Sequence, residues 1–209
     1  MRHSPLNAAL NFKEVMEQNQ VDFINFASKL GAISGVKTDS QGALAISLFD
    51  LANDHARSIA HLVNLKLHAS ALALVRPCIE SVVRGLWIFH CVESREAAER
   101  HAERDGSWPS LESMVKSLDA TLENDSFFAK RYLGKNYGIL SSFTHGLSYQ
   151  TANRFDGKVM TMKLSQSDTT AIMSEVCYLS YLSNLTIAYI AGEQDVVENL
   201  KQLWSKSEI

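Results

Sequence analysis

The chain has 209 residues, a net charge of −3, and 46% hydrophobic against 21% charged residues. These values are typical of one globular domain with a sizeable core, and they argue against a disordered chain and against a protein that is basic as a whole. We expect a single helical domain over residues 1–209, with a core bundle at about 41–192, an N-terminal helix at 7–30 and a C-terminal helix at 194–205.

The sequence contains no signal for a membrane or for export. The N-terminal residues lack the apolar stretch of a signal peptide, and no charge-free apolar run approaches the roughly 20 residues that a bilayer span requires. Cys78, Cys91 and Cys177 lie far apart in apolar contexts, which predicts reduced, buried thiols and neither a disulfide nor a zinc site. We therefore expect a cytoplasmic protein with no membrane partner.

Helical periodicity is clearest in the first half of the chain. Residues 7–30 and about 40–68 carry apolar side chains three and four positions apart, and Asp39-Ser40 offers an N-cap for the second helix. Residues 70–92 are apolar around most of the helix girth, which places this helix in the middle of a bundle. Pro77 is expected either in its first turns or at a kink.

The second half predicts shorter helices and one ambiguous stretch. Residues 147–166 lack clean periodicity, so they form either a loop or a short hairpin around Asp156-Gly157. No other stretch alternates like a strand, and the prediction is an all-α helical bundle of about six to eight helices. Beyond the central helix, the predicted helices span residues 93–104, 111–122, 126–145 and 169–190.

The most informative feature is a charged stripe inside the most apolar helix. Arg76, Glu80 and Arg84 are spaced four residues apart, so on a helix they share one face and the carboxylate can pair with an arginine on either side. Burying three charges is costly unless they pair with one another or meet a ligand. The stripe is therefore either a self-satisfied clasp that holds neighbouring helices or part of a functional pocket or interface.

A histidine at a probable helix end is the second candidate. His145 precedes Gly146, follows the hydroxyl-bearing Ser142, and is followed by the polar residues Gln150 and Arg154. Histidine is well suited to proton transfer near neutral pH, and hydroxyl neighbours can orient its ring. A lone histidine can equally be structural, and both interpretations stay open from the residues alone.

No metal or cofactor is expected. His55, His61 and His68 lie along one helix with Asp50 and Asp54 nearby, but their spacings of six and seven place them about two turns apart. The Glu-x-x-His pair of di-iron carboxylate bundles is absent from the chain, as are a glycine-rich phosphate loop and a Cys-x-x-Cys motif.

Charge is spread unevenly along the chain. Residues 91–125 carry nine acidic side chains, whereas residues 126–165 carry six lysines and arginines against Asp156 alone. This pattern predicts either a local basic face or the solvated faces of separate helices. The two oppositely charged arms could also pair across the seam of a homodimer.

The sequence also resembles a known family. The string from Ala71 to Trp87, with Ser142-Phe143-Thr144-His145-Gly146 and the later Gln150-x-x-x-Arg154, resembles an uncharacterised family of bacterial helical proteins. Members of that family share an Arg-Pro-x-x-Glu-x-x-x-Arg-x-x-Trp helix and a downstream Thr-His. The resemblance covers about residues 50–155 and implies a fold and pocket residues, but no established activity.

More distantly, the arrangement is similar to the HEPN superfamily of helical bundles from bacterial toxin and phage-defence systems, many of them metal-independent RNases that act as dimers. Their usual signature is an arginine followed four to six residues later by a histidine, often with a Glu-x-x-x-Lys/Arg helix. Glu80-x-x-x-Arg84 matches the second element, and His145 lies where the catalytic histidine is expected. The arginine is missing at positions 139–141, so Arg84 or Arg154 would have to replace it in space.

Two functional hypotheses follow from these residues. In the first, a HEPN-like bundle binds RNA or a nucleotide and cleaves RNA without a metal, with His145 and Arg84 as the catalytic residues and an antitoxin or defence protein as a partner. In the second, the stripe is a structural clasp in a non-catalytic interaction or dimerisation protein. The ligand-binding residues of the first hypothesis are Arg76, Glu80, Ser142, Gln150 and Arg154.

Overall fold

The computed structural model describes residues 20–25, 27–29, 33, 36–103, 108–145 and 164–207. Within these residues the chain forms helices joined by short connections and contains no strand, which confirms the all-α prediction. A helical segment at residues 20–25 and 27–29 comes first. The helices that follow are α1 (Ser40–Asn64), α2 (His68–Cys91), α3 (Arg95–Glu103), α4 (Leu111–Leu122), α5 (Phe127–Tyr132), α6 (Lys135–Thr144), α7 (Gln166–Ala191) and α8 (Gln194–Lys206).

Helix boundaries differ from the sequence-based prediction in two places. Helix α1 ends at Asn64 because Lys66 has a φ of 60°, a left-handed conformation that closes a tight turn before α2 begins. The helix predicted over 126–145 is two helices, since Leu133 is extended and the poor helix former Gly134 follows it. The loop or short hairpin predicted around Asp156-Gly157 lies outside the described residues, as do residues 7–19, 26 and 30 of the predicted N-terminal helix.

Helix α2 occupies the middle of the bundle, as its apolar girth predicts. It packs against α1, α4, α6 and α7, and it continues through Pro77 without a break. The approach of α1 is close because Gly85 has no side chain: a Cβ there would lie 2.8 Å from Cε1 of Phe49. Gln41 at the start of α1 donates hydrogen bonds to the carbonyl oxygens of Ile88 (2.7 Å) and Val92 (2.9 Å), which ties it to the end of α2.

A buried polar contact fixes the pairing of α1 with α7. Asn53 donates to Oδ1 of Asn184 at 3.1 Å, and Asn184 donates back to Oδ1 of Asn53 at 2.9 Å. Ser180 also donates to Oδ1 of Asn53 at 3.2 Å, and all three side chains are buried. Because any sliding of the two helices would leave these amides unpaired in an apolar core, the contact sets their register.

The outer helices cover the remaining faces. Helix α8 packs on α7, where Trp204 stacks on Tyr181 with ring centroids 4.7 Å apart. Helices α4 and α6 pack on α2. Asp119 of α4 accepts backbone hydrogen bonds from Phe128 (2.9 Å) and Ala129 (2.8 Å) and so caps the start of α5. None of the described helices combines the length and apolarity that crossing a bilayer requires.

Burial makes two of the three cysteine thiols unreactive. Cys78 and Cys177 are buried free thiols, whereas the prediction of burial is wrong for Cys91, which is half-buried near the end of α2. Burial raises the pKa of Cys177 to about 12 and also raises the pKa of Cys78, with the Glu175 charge adding to the effect there. Thiols with raised pKa values carry little thiolate at neutral pH, so these two belong to the core.

Replacing Asn184 with leucine tests the buried amide contact. The Asn184→Leu variant leaves the buried Nδ2 of Asn53 without its acceptor, so the free energy of unfolding should fall by about 2–3 kcal/mol. Asn199→Leu on the exposed side of α8 is the matched control and should change it by less than about 0.5 kcal/mol. Urea unfolding followed by circular dichroism measures both values, and equal losses in the two variants would contradict a register-setting role.

Candidate functional site

The charged stripe of α2 is a continuous ion-paired group. Arg76 Nε lies 2.7 Å from Oε1 of Glu80, and Arg84 Nη2 lies 3.1 Å from Oε2 of the same carboxylate. The side chains are partly exposed: 23% for Arg76, 18% for Glu80 and 35% for Arg84. Glu80 therefore pairs with both arginines at the edge of the bundle, as their four-residue spacing on a helix predicts.

Helix α6 brings a tyrosine and a histidine to this stripe. It runs antiparallel to α2, since Thr144 donates to the carbonyl oxygen of Ala73 (3.3 Å) while Tyr137 reaches Glu80 further along α2. The Tyr137 hydroxyl donates to Oε1 of Glu80 at 2.5 Å and accepts from Arg76 Nε at 2.9 Å. The Arg76 guanidinium also lies 4.9 Å from the centre of the Tyr137 ring.

His145, immediately after α6, contacts Arg76. The distance from Arg76 Nη1 to His145 Nε2 is 3.3 Å, and the histidine is exposed. Guanidinium nitrogens only donate, so this hydrogen bond requires Nε2 to accept and places the imidazole proton on Nδ1. Nε2 of His145 therefore faces a cation at the protein surface.

The ionisation of the cluster follows from its contacts. Burial alone would raise the pKa of Glu80, but hydrogen bonds from Tyr137 and Arg76 and the charges of both arginines outweigh it and hold the pKa below its usual range. Burial and the neighbouring Glu80 raise the pKa of Tyr137. At neutral pH the group is therefore two guanidinium cations, one carboxylate and a neutral phenol, with a net charge of +1 before His145 is counted.

Arg84 lies at the other end of the cluster. It does not contact His145 and instead joins Glu80 to an aromatic group, with its guanidinium carbon 5.7 Å from the centre of the Trp108 ring. Its Nε is buried and has no hydrogen-bond partner among the described residues. Among the described residues, the arginine in contact with His145 is Arg76 and not Arg84.

The structure brings together four of the residues singled out in the sequence: Arg76, Glu80, Arg84 and His145. Ser142 is buried within α6. Gln150 and Arg154 lie outside the described residues. Sequence reasoning missed Tyr137, although its separation of eight residues from His145 within one predicted helix would have placed both on the same face.

An apolar cavity of about 500 Å³ adjoins the cluster. Tyr137 lines it, and the helices α2, α5, α6 and α7 supply its walls. At the α5 end, Glu175 pairs with Arg131, with Nη2 of the arginine 2.6 Å from Oε2 of the carboxylate, and accepts a hydrogen bond from Tyr132 at 3.0 Å. Among the described residues, no group of three or more histidine, cysteine and acidic side chains is arranged to hold a metal ion.

Glu80→Gln should lower the free energy of unfolding by about 1–3 kcal/mol at pH 7, because the two arginines lose their counter-charge. The folded-state pKa of Glu80 is depressed, so its contribution is present above the unfolded-state value of about 4.3 and is lost as pH falls through the folded-state pKa. The free energies of unfolding of wild type and variant, measured with urea across the acidic range, should therefore converge at low pH.

The control for this measurement is Glu112→Gln in α4. Glu112 pairs with Lys116 four residues away, but these two side chains are 63% and 66% exposed, so solvent screens the pair. This variant should unfold like the wild type at every pH. If the difference in the free energy of unfolding between Glu80→Gln and the wild type stays the same down to the lowest pH, Glu80 is not an ionised partner of the two arginines.

Comparison with known proteins places the whole cluster inside one family. No curated protein and no solved structure matches the chain. A family model described as a family of unknown function, DUF6988, matches residues 49–207, a range that includes α2 to α8. This agrees with the expectation of an uncharacterised helical family. Because the match covers most of its length, the chain belongs to the DUF6988 family.

Proposed function

We propose that the cluster formed by Arg76, Glu80, Arg84, Tyr137 and His145 binds a phosphate-bearing ligand and that the chain is a metal-independent, HEPN-like ribonuclease. The observation that carries the proposal is the contact between Arg76 Nη1 and His145 Nε2 at 3.3 Å. A guanidinium binds phosphate oxygens through paired donors, and a neutral imidazole beside it can accept a proton. Together they supply the two groups that phosphodiester cleavage requires.

The proposed reaction uses the ribose 2′-hydroxyl as the nucleophile. His145 Nε2 takes the hydroxyl proton, and the 2′-oxygen attacks the adjacent phosphorus while Arg76 stabilises the negative charge on the phosphate oxygens. The bond from phosphorus to the 5′-oxygen breaks, and that oxygen takes a proton from water. The products are a 2′,3′-cyclic phosphate and a 5′-hydroxyl, so DNA, which lacks the 2′-hydroxyl, is not a substrate.

Glu80 and Tyr137 are positioning residues in this proposal. Their hydrogen bonds to Arg76 Nε hold the guanidinium so that Nη1 faces His145. A guanidinium fixed in advance loses less conformational entropy when a phosphate binds, which favours binding and transition-state stabilisation alike. The toxin or phage-defence setting, with an antitoxin or defence protein as partner, belongs to the same proposal through the HEPN resemblance.

A second candidate function rests on the opposite property of the same group. Glu80 already accepts hydrogen bonds from both arginines and from Tyr137, so much of the donor capacity of the cluster is used inside the protein. In this alternative the stripe is a clasp between α2 and α6 in a non-catalytic interaction protein, and homodimerisation is its function. The alternative predicts that variants of the cluster lose stability, and that the protein has no RNA-cleaving activity for them to lose.

Purified wild-type protein should cleave a pool of single-stranded RNA oligonucleotides in the presence of a metal chelator. His145→Gln should reduce the cleavage rate by a factor of about 100 or more, the scale of general acid–base catalysis. Arg76→Lys should reduce it by about 10- to 1000-fold, because an ammonium cannot reproduce the two-pronged contact with phosphate. The measurement is the rate of appearance of products that end in a 2′,3′-cyclic phosphate.

The matched control is His61→Gln, which changes an exposed histidine of α1 and should leave the rate unchanged. Melting temperatures of all variants separate catalysis from folding. If the wild type cleaves no RNA, and the Arg76 and His145 variants only lower the melting temperature, the ribonuclease proposal is wrong and the clasp stands. A size measurement by light scattering then tests whether those variants also dissociate a dimer.

A further inference from the structure

An aromatic group adjoins the Arg84 end of the cluster and has no role in the proposed reaction. Trp87 of α2, His101 of α3 and Trp108 form a triangle whose ring centroids lie 5.1, 5.4 and 6.4 Å apart. All three side chains are half-buried, so each also faces solvent. The Arg84 guanidinium lies 5.7 Å from the centre of the Trp108 ring.

This aromatic triangle and the His145 contact lie at opposite ends of one surface. Arg76 and Arg84 are eight residues apart on α2, which corresponds to about 12 Å along a helix axis. Such a surface is too long for one phosphate group. It suits a ligand that carries an anionic group at one end and a flat, apolar-faced group at the other.

The two ends of this surface differ in charge. At the His145 end, Arg76 and a histidine face the solvent. At the Trp108 end, the neighbouring helix α3 contains three glutamates against two arginines. The net charge of α3 is therefore negative, which disfavours a second phosphate at this end of the surface. The flat group that fits the Trp108 end is therefore neutral.

The Arg84 guanidinium lies over the Trp108 ring. Its Nη2 is used by Glu80, but its Nε is a buried donor without a partner among the described residues. Arginine planes and tryptophan rings are also the surfaces on which nucleic-acid bases stack.

We infer that Trp108 and Arg84 form a base-binding subsite beside the phosphate site, so that the ligand recognised is a nucleotide unit of single-stranded RNA. The base stacks on the Trp108 ring beside the Arg84 guanidinium. The inference rests on the proposed phosphate site at Arg76 and His145, and it adds recognition of the base. Stacking of this kind tolerates all four bases, so weak sequence preference is expected.

Isothermal titration calorimetry with three defined probes tests the subsite. Adenosine 5′-monophosphate should bind the wild type about 5- to 150-fold more tightly than ribose 5-phosphate, the range expected for one stacked base. In Trp108→Leu that advantage should disappear, while the affinity for ribose 5-phosphate and inorganic phosphate stays within about twofold of the wild type. Trp204→Leu, which changes the tryptophan stacked on Tyr181, is the matched control and should keep the full advantage.

A fluorescence measurement covers the case in which Trp108→Leu does not fold. The chain has three tryptophans, so Trp87→Phe/Trp204→Phe leaves Trp108 as the single emitter. Adenosine 5′-monophosphate should quench this emission with saturation, and ribose 5-phosphate should not. Absence of saturable quenching would overturn the base-binding subsite.

The outcomes separate the inference from the proposed function. If ribose 5-phosphate and adenosine 5′-monophosphate bind equally well, the base-binding subsite is wrong and the phosphate site stands. If none of the three probes binds, the phosphate site fails and the subsite fails with it. If adenosine 5′-monophosphate still binds Trp108→Leu more tightly than ribose 5-phosphate does, the base is recognised elsewhere and the inference is overturned. Nucleotide binding without quenching of the Trp108 emission leads to the same conclusion.

Discussion

The Glu80 carboxylate is the interaction on which the surface cluster depends. One oxygen accepts from Arg76 Nε and Tyr137, and the other accepts from Arg84 Nη2. Because both oxygens are occupied, one side chain contacts both guanidinium groups and helps to set their directions. Arg76 is thereby turned so that Nη1 meets His145, and Arg84 is turned toward Trp108. Without this carboxylate, the two like charges on one helix face would lose the counter-charge that lies between them.

Such a cluster can sit on α2 because the rest of the bundle holds that helix rigidly. Gly85 lets Phe49 of α1 pack closely, and the Asn53–Asn184 contact fixes α1 against α7. The charged residues of α2 lie on the face that meets α6, and α6 covers this face incompletely. The side chains of Arg76, Glu80 and Arg84 are therefore desolvated enough to pair strongly and exposed enough to meet a ligand. Partial burial of this kind strengthens the ion pairs without the full cost of a buried charge.

The sequence predicts local features well and contacts between distant segments poorly. The four-residue spacing of Arg76, Glu80 and Arg84 is enough to predict their pairing, because it depends only on the geometry of one helix. The contact of His145 with Arg76 joins residues 69 positions apart, and it depends on how α6 packs, which the periodicity of one helix does not contain. Trp108 follows a break in the helical pattern, so no spacing rule relates it to Arg84. The division between α5 and α6 is not predicted either, since Leu133 is apolar and the single glycine that follows it does not by itself end a helical pattern.

The position of Arg76 between Glu80 and His145 also bears on how ligand binding and proton transfer would be linked. Arg76 holds Glu80 through Nε and His145 through Nη1, so a phosphate that takes Nη1 leaves the ion pair with Glu80 intact. The exchange therefore leaves the partly buried ion pair in place, and it breaks the hydrogen bond to the exposed imidazole. Breaking it releases the lone pair of Nε2 while the ribose of the same ligand lies beside it. In the proposed ribonuclease, one hydrogen-bond exchange would thus both bind the phosphate and free the base, whereas in a purely structural clasp the Nη1 contact would have no consequence beyond its small contribution to stability.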